Sequence, residues 1–215
     1  MLDNKGNIVS PGLFLPAAEK YGLSTRVDLW VINTIFSMVK SSPSFLDNIQ
    51  CIDINLSGQS LGNEEIFRTI ASHLKKEYVP TQKICFEITE TAVVSHLQEA
   101  VEFIKRLKEL GCQFSLDDFG SGLSSFAYLK TLPVDFIKID GSFVKDIVED
   151  EIDYAFVKSI KEIGRVMGKQ TIAEFVENDA ILVKLQDIGV DFAQGYGIGK
   201  PVPIDDKDRK INGGS

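Results

Sequence analysis

From Gln50 onward the apolar positions fall into a repeating unit: a short apolar run that ends in a polar residue, then a stretch with apolar positions three and four apart. The first half of each unit reads as a strand and the second as an amphipathic helix, the alternation that builds βα units around a parallel sheet. The strands expected are Cys51–Leu56, Lys83–Thr89, Cys112–Asp117, Asp135–Asp140, Gln170–Glu174 and Val190–Gln194. A helix after Thr91 is expected to carry Val94, Leu97, Val101, Ile104 and Leu107 on one face, with Gly111 as a left-handed stop. A second, from about Glu151 to Met167, is expected to bury Ile152, Phe156, Ile160 and Ile163, and a third runs from an Asn178 N-cap to Gly189. Ahead of Gln50, the stretch from Pro11 to about Lys40 reads as helix in two pieces broken at Gly22. Phe14, Ala17 and Ala18 form one face, and Val27, Trp30, Val31, Ile35 and Met38 continue at helical spacing. The first ten residues are polar and turn-forming around Asn4-Lys5-Gly6-Asn7.

Each expected strand carries a polar side chain at or near its carboxyl end: Asn55, Glu87, Asp117, Lys138, Glu174 and Gln194. In a closed β/α barrel the carboxyl ends of all strands meet at one mouth, so these six residues would ring a single site. An open doubly wound sheet would scatter them and would place a glycine-rich phosphate loop after its first strand; neither G-x-G-x-x-G nor a Walker sequence is present. The expected fold is therefore α/β, a modified TIM-like (β/α)8 barrel over residues 1–201, with 202–215 as a polar tail. Six strands in 215 residues fall short of a complete barrel of about 250, and the barrel is expected to be N-terminally incomplete.

The chemistry is expected between Gln113 and Asp140, QFSLDDFGSGLSSFAYLKTLPVDFIKID. Strand alternation sets Ser115 and Asp117 on one face and Phe114 and Leu116 on the other, and Asp118 follows at the strand end. Two adjacent carboxylates beside an apolar core need a cation or donors to take up their charge, and a divalent metal is the obvious candidate. Gly120, Ser121 and Gly122 supply a loop free to take unusual backbone angles. Lys138 is read either as a site cation or as a structural partner of Asp140 or Asp135. The formal net charge of −8 argues against a nucleic acid polymer as partner, and leaves a small anionic ligand accessible through metal ions. Cys51, Cys85 and Cys112 have no metal-ligand spacing and read as buried thiols, while His73 and His96 have no nucleophile nearby and receive no role. No membrane segment or cleavable leader is legible, which points to the cytoplasm.

At these residues the chain resembles the EAL domain family of cyclic di-GMP phosphodiesterases, through SPGLFLPAAEKYGL, INLSGQSL, FEITETA, LDDFGSGLSSFAYLKTLPVDFIKID, AEFVEN and AQGYGIGKP in family order. The resemblance implies a barrel that binds cyclic di-GMP across its mouth, where two Mg²⁺ or Mn²⁺ ions activate a water that opens one phosphodiester to give the linear dinucleotide pGpG. Carried over by motif, Asn55, Glu87, Asp117 and Asp118 are metal ligands, and Lys138 holds the attacking water or a phosphate oxygen. Glu174 assists proton transfer or the metal site, and Glu90 anchors a mobile loop from Phe119 to Ser125. Glu177, Gln194 and Pro201 are substrate-binding, with Glu177 at a guanine edge and Gln194 against metal-bound water or the ligand. A homodimer pairing near residues 141–150 is also implied. Two departures stand out. Phe175 occupies the glycine of the family's AEGVE, which is expected to shift that loop, and the Glu-Ala-Leu strand with its metal ligand does not occur in the sequence. The second leads us to expect weak turnover, and keeps open a catalytically degenerate receptor or protein-interaction module.

Overall fold

The computed structural model describes residues 4–47, 49–76, 79–121 and 127–202. Residues 122–125 of the expected Phe119–Ser125 loop, and the tail from residue 203, lie outside the described residues. Six strands, β1 (Ile52–Asn55), β2 (Ile84–Thr89), β3 (Gln113–Phe119), β4 (Phe136–Ile139), β5 (Gln170–Ala173) and β6 (Phe192–Ala193), form one parallel sheet in the order β1-β2-β3-β4-β5-β6. Sequential order with every neighbour parallel is barrel order, and the sheet makes a TIM-like half-barrel whose edges are β1 and β6. No helix among the described residues is long and apolar enough to cross a membrane.

The helices are α1 (Pro11–Lys20), α2 (Ser24–Ser41), α3 (Glu64–Leu74), α4 (Glu90–Ser95), α5 (Leu97–Lys108), α6 (Gly141–Val144), α7 (Glu151–Val166) and α8 (Asp179–Ile188). The starts of α3, α7 and α8 are set by side-chain caps that accept otherwise unpaired backbone N–H groups: Asn63, Asp150 and, as expected, Asn178. The core lies between the helices and the outer face of the sheet, with Phe36, Phe86, Phe103 and Phe114 fully enclosed. β2 is buried over nearly its whole length, as a central parallel strand must be.

The apolar pattern misplaces one helical face and part of two others. In α2 the buried stripe is Asp28, Ile32, Phe36 and Val39, one position away from the expected one, and Trp30 is exposed. The polar Asp28 conceals this stripe from any count of apolar positions. It can sit there because Ser57 N–H and the hydroxyls of Ser57 and Ser60 all donate to its Oδ2, at 2.9, 2.6 and 2.6 Å. The helix expected after Thr91 is two helices, because His96 leaves the helical region and turns the chain; Val94 is consequently exposed. In α7 the expected Ile160 is buried and Phe156 and Ile163 are half-buried against the core, but Val157 and Gly164 are buried as well and Ile152 is exposed in the first turn.

The tripeptide Val-Asp-Phe occurs at 134–136 and 190–192, each time leading into a strand. Asp135 accepts from Phe114 N–H at the start of β3 and pairs with Lys108 at the end of α5. Asp191 does the same for Thr171 N–H of β5 and Lys161 of α7. Each aspartate ties a helix, the strand that follows that helix and the next strand together at the amino end of the barrel, which leaves the carboxyl ends free for chemistry.

Candidate functional site

The register between β3 and β4 slips at the acidic pair. Leu116 lies opposite Ile137 and Phe119 opposite Ile139, so Asp117 and Asp118 together face the single residue Lys138. This is a β-bulge, and Asp118 takes a left-handed φ of 54° to make it. Strict alternation would send two consecutive side chains to opposite faces. The bulge turns both carboxylates to the mouth, where oxygens of Asp117, Asp118 and Glu174 lie within 4.8 Å of one another.

Lys138, 4% exposed, stands at the centre of a charge cluster: its Nζ is 2.7 Å from Asp117 Oδ1, 2.8 Å from Glu174 Oε1 and 3.0 Å from Glu87 Oε1. Asn55 donates to the other oxygen of Glu87 at 3.3 Å. The expected structural partners of Lys138 are engaged elsewhere, Asp140 as the N-cap of α6 and Asp135 with Lys108. Burial pushes the Glu87 carboxyl up to about 6 although Lys138 pulls it down. Burial, then the neighbouring Asp117 and Asp140, raise Asp118, and burial raises Glu174 against the pull of Lys138. Burial disfavours the Lys138 charge, but Glu87, Asp117 and Glu174 together more than reverse this and hold its pKa above the ordinary lysine value. Carboxylates crowded and desolvated to this degree, with oxygen as the only donor atom, fit a hard divalent cation at Asp117, Asp118 and Glu174.

Glu90 begins α4, three residues beyond Glu87, and is buried. Its carboxylate accepts from Gly120 N–H at 3.0 Å and from the Tyr128 hydroxyl at 2.7 Å. Both ends of the segment that leaves β3 are thereby tied to one side chain. Tyr128 carried no signal in the sequence, since its hydroxyl meets Glu90 only through tertiary folding. Asp28 went unread for the same reason, and its bonds to Ser57 and Ser60 hold the turn that follows Asn55.

Beyond β5 and β6 the chain forms a recess of about 300 Å³ lined by Glu174, Phe175, Glu177, Gln194, Gly195 and Tyr196. Its two walls meet backbone to backbone, with Val176 N–H donating to Gln194 O at 3.0 Å and Gly197 N–H to Val176 O at 2.8 Å. A Cβ on Gly195 would stand 2.2 Å from Val176 N, so only glycine permits this approach. Phe175 adopts φ 53°, a conformation open to glycine and strained for phenylalanine, and Val176 keeps its bond to Gln194. Of the residues expected against a ligand, Glu177 and Gln194 line this recess; Pro201 is exposed and is not among its lining residues. Cys85 and Cys112 are buried free thiols, Cys51 is half-buried beside Asp53, and His73 stacks on Phe36 with ring centroids 4.6 Å apart.

Comparison with known proteins yields consistent matches. A family model described as the EAL domain matches residues 1–201. The chain is 47% identical over 199 residues to the cyclic di-GMP phosphodiesterase PdeB of Shewanella oneidensis, covering 93% of this chain and 23% of that protein. It is 38% identical over 204 residues to the cyclic di-GMP phosphodiesterase PdeA of Borreliella burgdorferi, covering 95% of this chain and 30% of that protein. The chain thus spans less than a third of the length of these curated relatives. Among solved structures, the PaMucR phosphodiesterase in complex with c-di-GMP superposes with a TM-score of 0.84 at 29% identity, over 94% of this chain and 82% of that one. The FimX EAL domain from Pseudomonas aeruginosa bound to c-di-GMP gives 0.83 at 31% identity, over 94% and 80%.

Proposed function

Because the chain belongs to the EAL domain family, we propose that it is a metal-dependent phosphodiesterase domain that opens cyclic di-GMP to the linear dinucleotide pGpG. The observation that carries this reading is the bulge at Asp117–Asp118, which brings two consecutive carboxylates together with Glu174 beside Lys138 at the barrel mouth. Asp117, Asp118 and Glu174, with Glu87 and Asn55 adjoining, would hold two Mg²⁺ or Mn²⁺ ions. Such ions, when bound, supply Lewis acidity toward the phosphate oxygens and toward the attacking water, and offset the negative charge of the mouth.

The side chains divide the remaining work. Lys138 stays protonated through the physiological range, so it acts as a fixed N–H donor to a phosphate oxygen or to the attacking water rather than as a base. Glu174, a carboxyl raised above its ordinary value at the edge of the recess, is placed to accept a proton from that water. Glu90 holds Gly120, and with it the segment that leaves Asp118. Glu177 and Gln194, lining the recess, present hydrogen-bonding groups to a guanine edge.

The test is chromatography of the products formed from cyclic di-GMP with Mg²⁺ or Mn²⁺, for the chain and for Asp117→Asn. The substitution keeps size and removes charge, so it is expected to abolish metal-dependent turnover while the protein stays folded. Normal turnover by Asp117→Asn would overturn the ligand assignment. Tight binding by the chain without hydrolysis under either metal would replace the enzyme by a cyclic di-GMP receptor.

A further inference from the structure

Phe175 breaks two rules at once. It is 62% exposed, so its ring is not held in the core, and it sits at φ 53°, where any residue other than glycine is strained. Neither burial nor backbone preference accounts for an aromatic ring at this position. One face of the ring is nonetheless seated: a Cβ added to Gly141 would stand 2.2 Å from Phe175 Cδ2 and 2.5 Å from Cγ, so the ring lies directly on the bare backbone of Gly141. Glycine there is what lets the ring lie down, and Asp140, the N-cap of α6, fixes that backbone by accepting from Ser142 N–H at 2.7 Å. Phe175 also lines the recess, together with Glu174, Glu177 and Tyr196.

A flat apolar ring braced from behind, beside carboxylates that accept N–H groups, is complementary to a planar heteroaromatic group with donors on its edge. Building on the proposed reading of the site, we infer that Phe175 is a specificity-determining platform on which one purine base of the dinucleotide stacks, with Glu177 accepting from the edge of the same base. The strain at φ 53° is then held for binding, as at other ligand clamps. Stacking of a base on an aromatic side chain contributes about 1–3 kcal/mol, so its loss lowers affinity by about 5- to 150-fold.

Calorimetric titration of the chain with cyclic di-GMP, and of Phe175→Leu, Phe175→Gly and Phe175→Trp, tests this. Leucine keeps apolar bulk without a π face and is expected to weaken binding by about 5- to 150-fold. Tryptophan is expected to retain wild-type affinity. Glycine relieves the backbone and should raise the melting temperature while weakening binding, opposite signs that a merely structural role would not produce. Wild-type affinity in Phe175→Leu, or loss of affinity in Phe175→Trp equal to that in Phe175→Leu, would overturn the platform and leave the proposed function standing. Failure of the wild-type chain to bind cyclic di-GMP would overturn the proposed function and the platform with it.

Discussion

Replacing Lys138 by methionine tests the electrostatic design of the mouth without touching a proposed metal ligand. The ammonium is 4% exposed and lies within 3.0 Å of three carboxylates, so its removal leaves Glu87, Asp117 and Glu174 buried without their common counter-charge. Breaking a buried pair in this way costs about 3–5 kcal/mol, mostly through the stranded partners. The pH dependence gives the diagnosis. Glu87 already titrates at about 6 with Lys138 present, against 4.5 for an ordinary glutamate, which costs the wild type about 2 kcal/mol of stability above pH 6. A carboxyl with a raised folded-state pKa destabilises once pH exceeds that pKa and ceases to do so below its unfolded value. Without Lys138, Glu87 and Glu174 rise further, so the deficit of Lys138→Met should be full at pH 7.5 and shrink toward pH 4.5 as both carboxyls protonate. Urea unfolding of both proteins in EDTA at pH 7.5 and pH 5.0 measures this. Millimolar Mn²⁺ at pH 7.5 should recover part of the loss. A deficit below about 1 kcal/mol at pH 7.5, or one that grows as pH falls, would refute the account of Lys138 as the charge that holds the mouth together.

Two further substitutions probe the supports of the site. Glu90→Ala strands Gly120 N–H and the Tyr128 hydroxyl, and is expected to cost about 1–3 kcal/mol and to accelerate amide exchange at Gly120; unchanged exchange there would show that the anchor is idle. Asp28→Ala removes the shared acceptor of Ser57 and Ser60, and is expected to cost about 2–3 kcal/mol in urea unfolding, a loss that a change below about 0.5 kcal/mol would contradict.

The strand–helix alternation was legible because a central parallel strand is buried on both faces and a barrel helix on one, and each leaves its own period in the chain. The polar strand ends were legible too, since residues such as Glu87 and Lys138 interrupt apolar runs at the same place in each unit, and a barrel gathers those places at one mouth. Local pattern failed where a polar residue occupies a core position by virtue of distant partners. Asp28 hides the buried stripe of α2 because Ser57 and Ser60, about thirty residues away, satisfy it. His96 divides the helix after Thr91 without any glycine or proline to announce it.

The acidic pair shows the division most clearly. That Asp117 and Asp118 end a strand, and that their charge needs a partner, follows from residue type and position alone. That both face the same way does not, because strand geometry sends neighbours to opposite faces, and only the pairing of β3 with β4 admits the extra residue that turns Asp118 inward. The partner of their charge is decided at the same level. Lys138 had Asp135 and Asp140 near it in sequence, yet it meets Glu87, Asp117 and Glu174, which come to it from three other strand ends. Sequence sets which charges exist and which strand carries each. Which of them touch is set by sheet register, since a shift of one residue sends a side chain to the opposite face and replaces every partner it has.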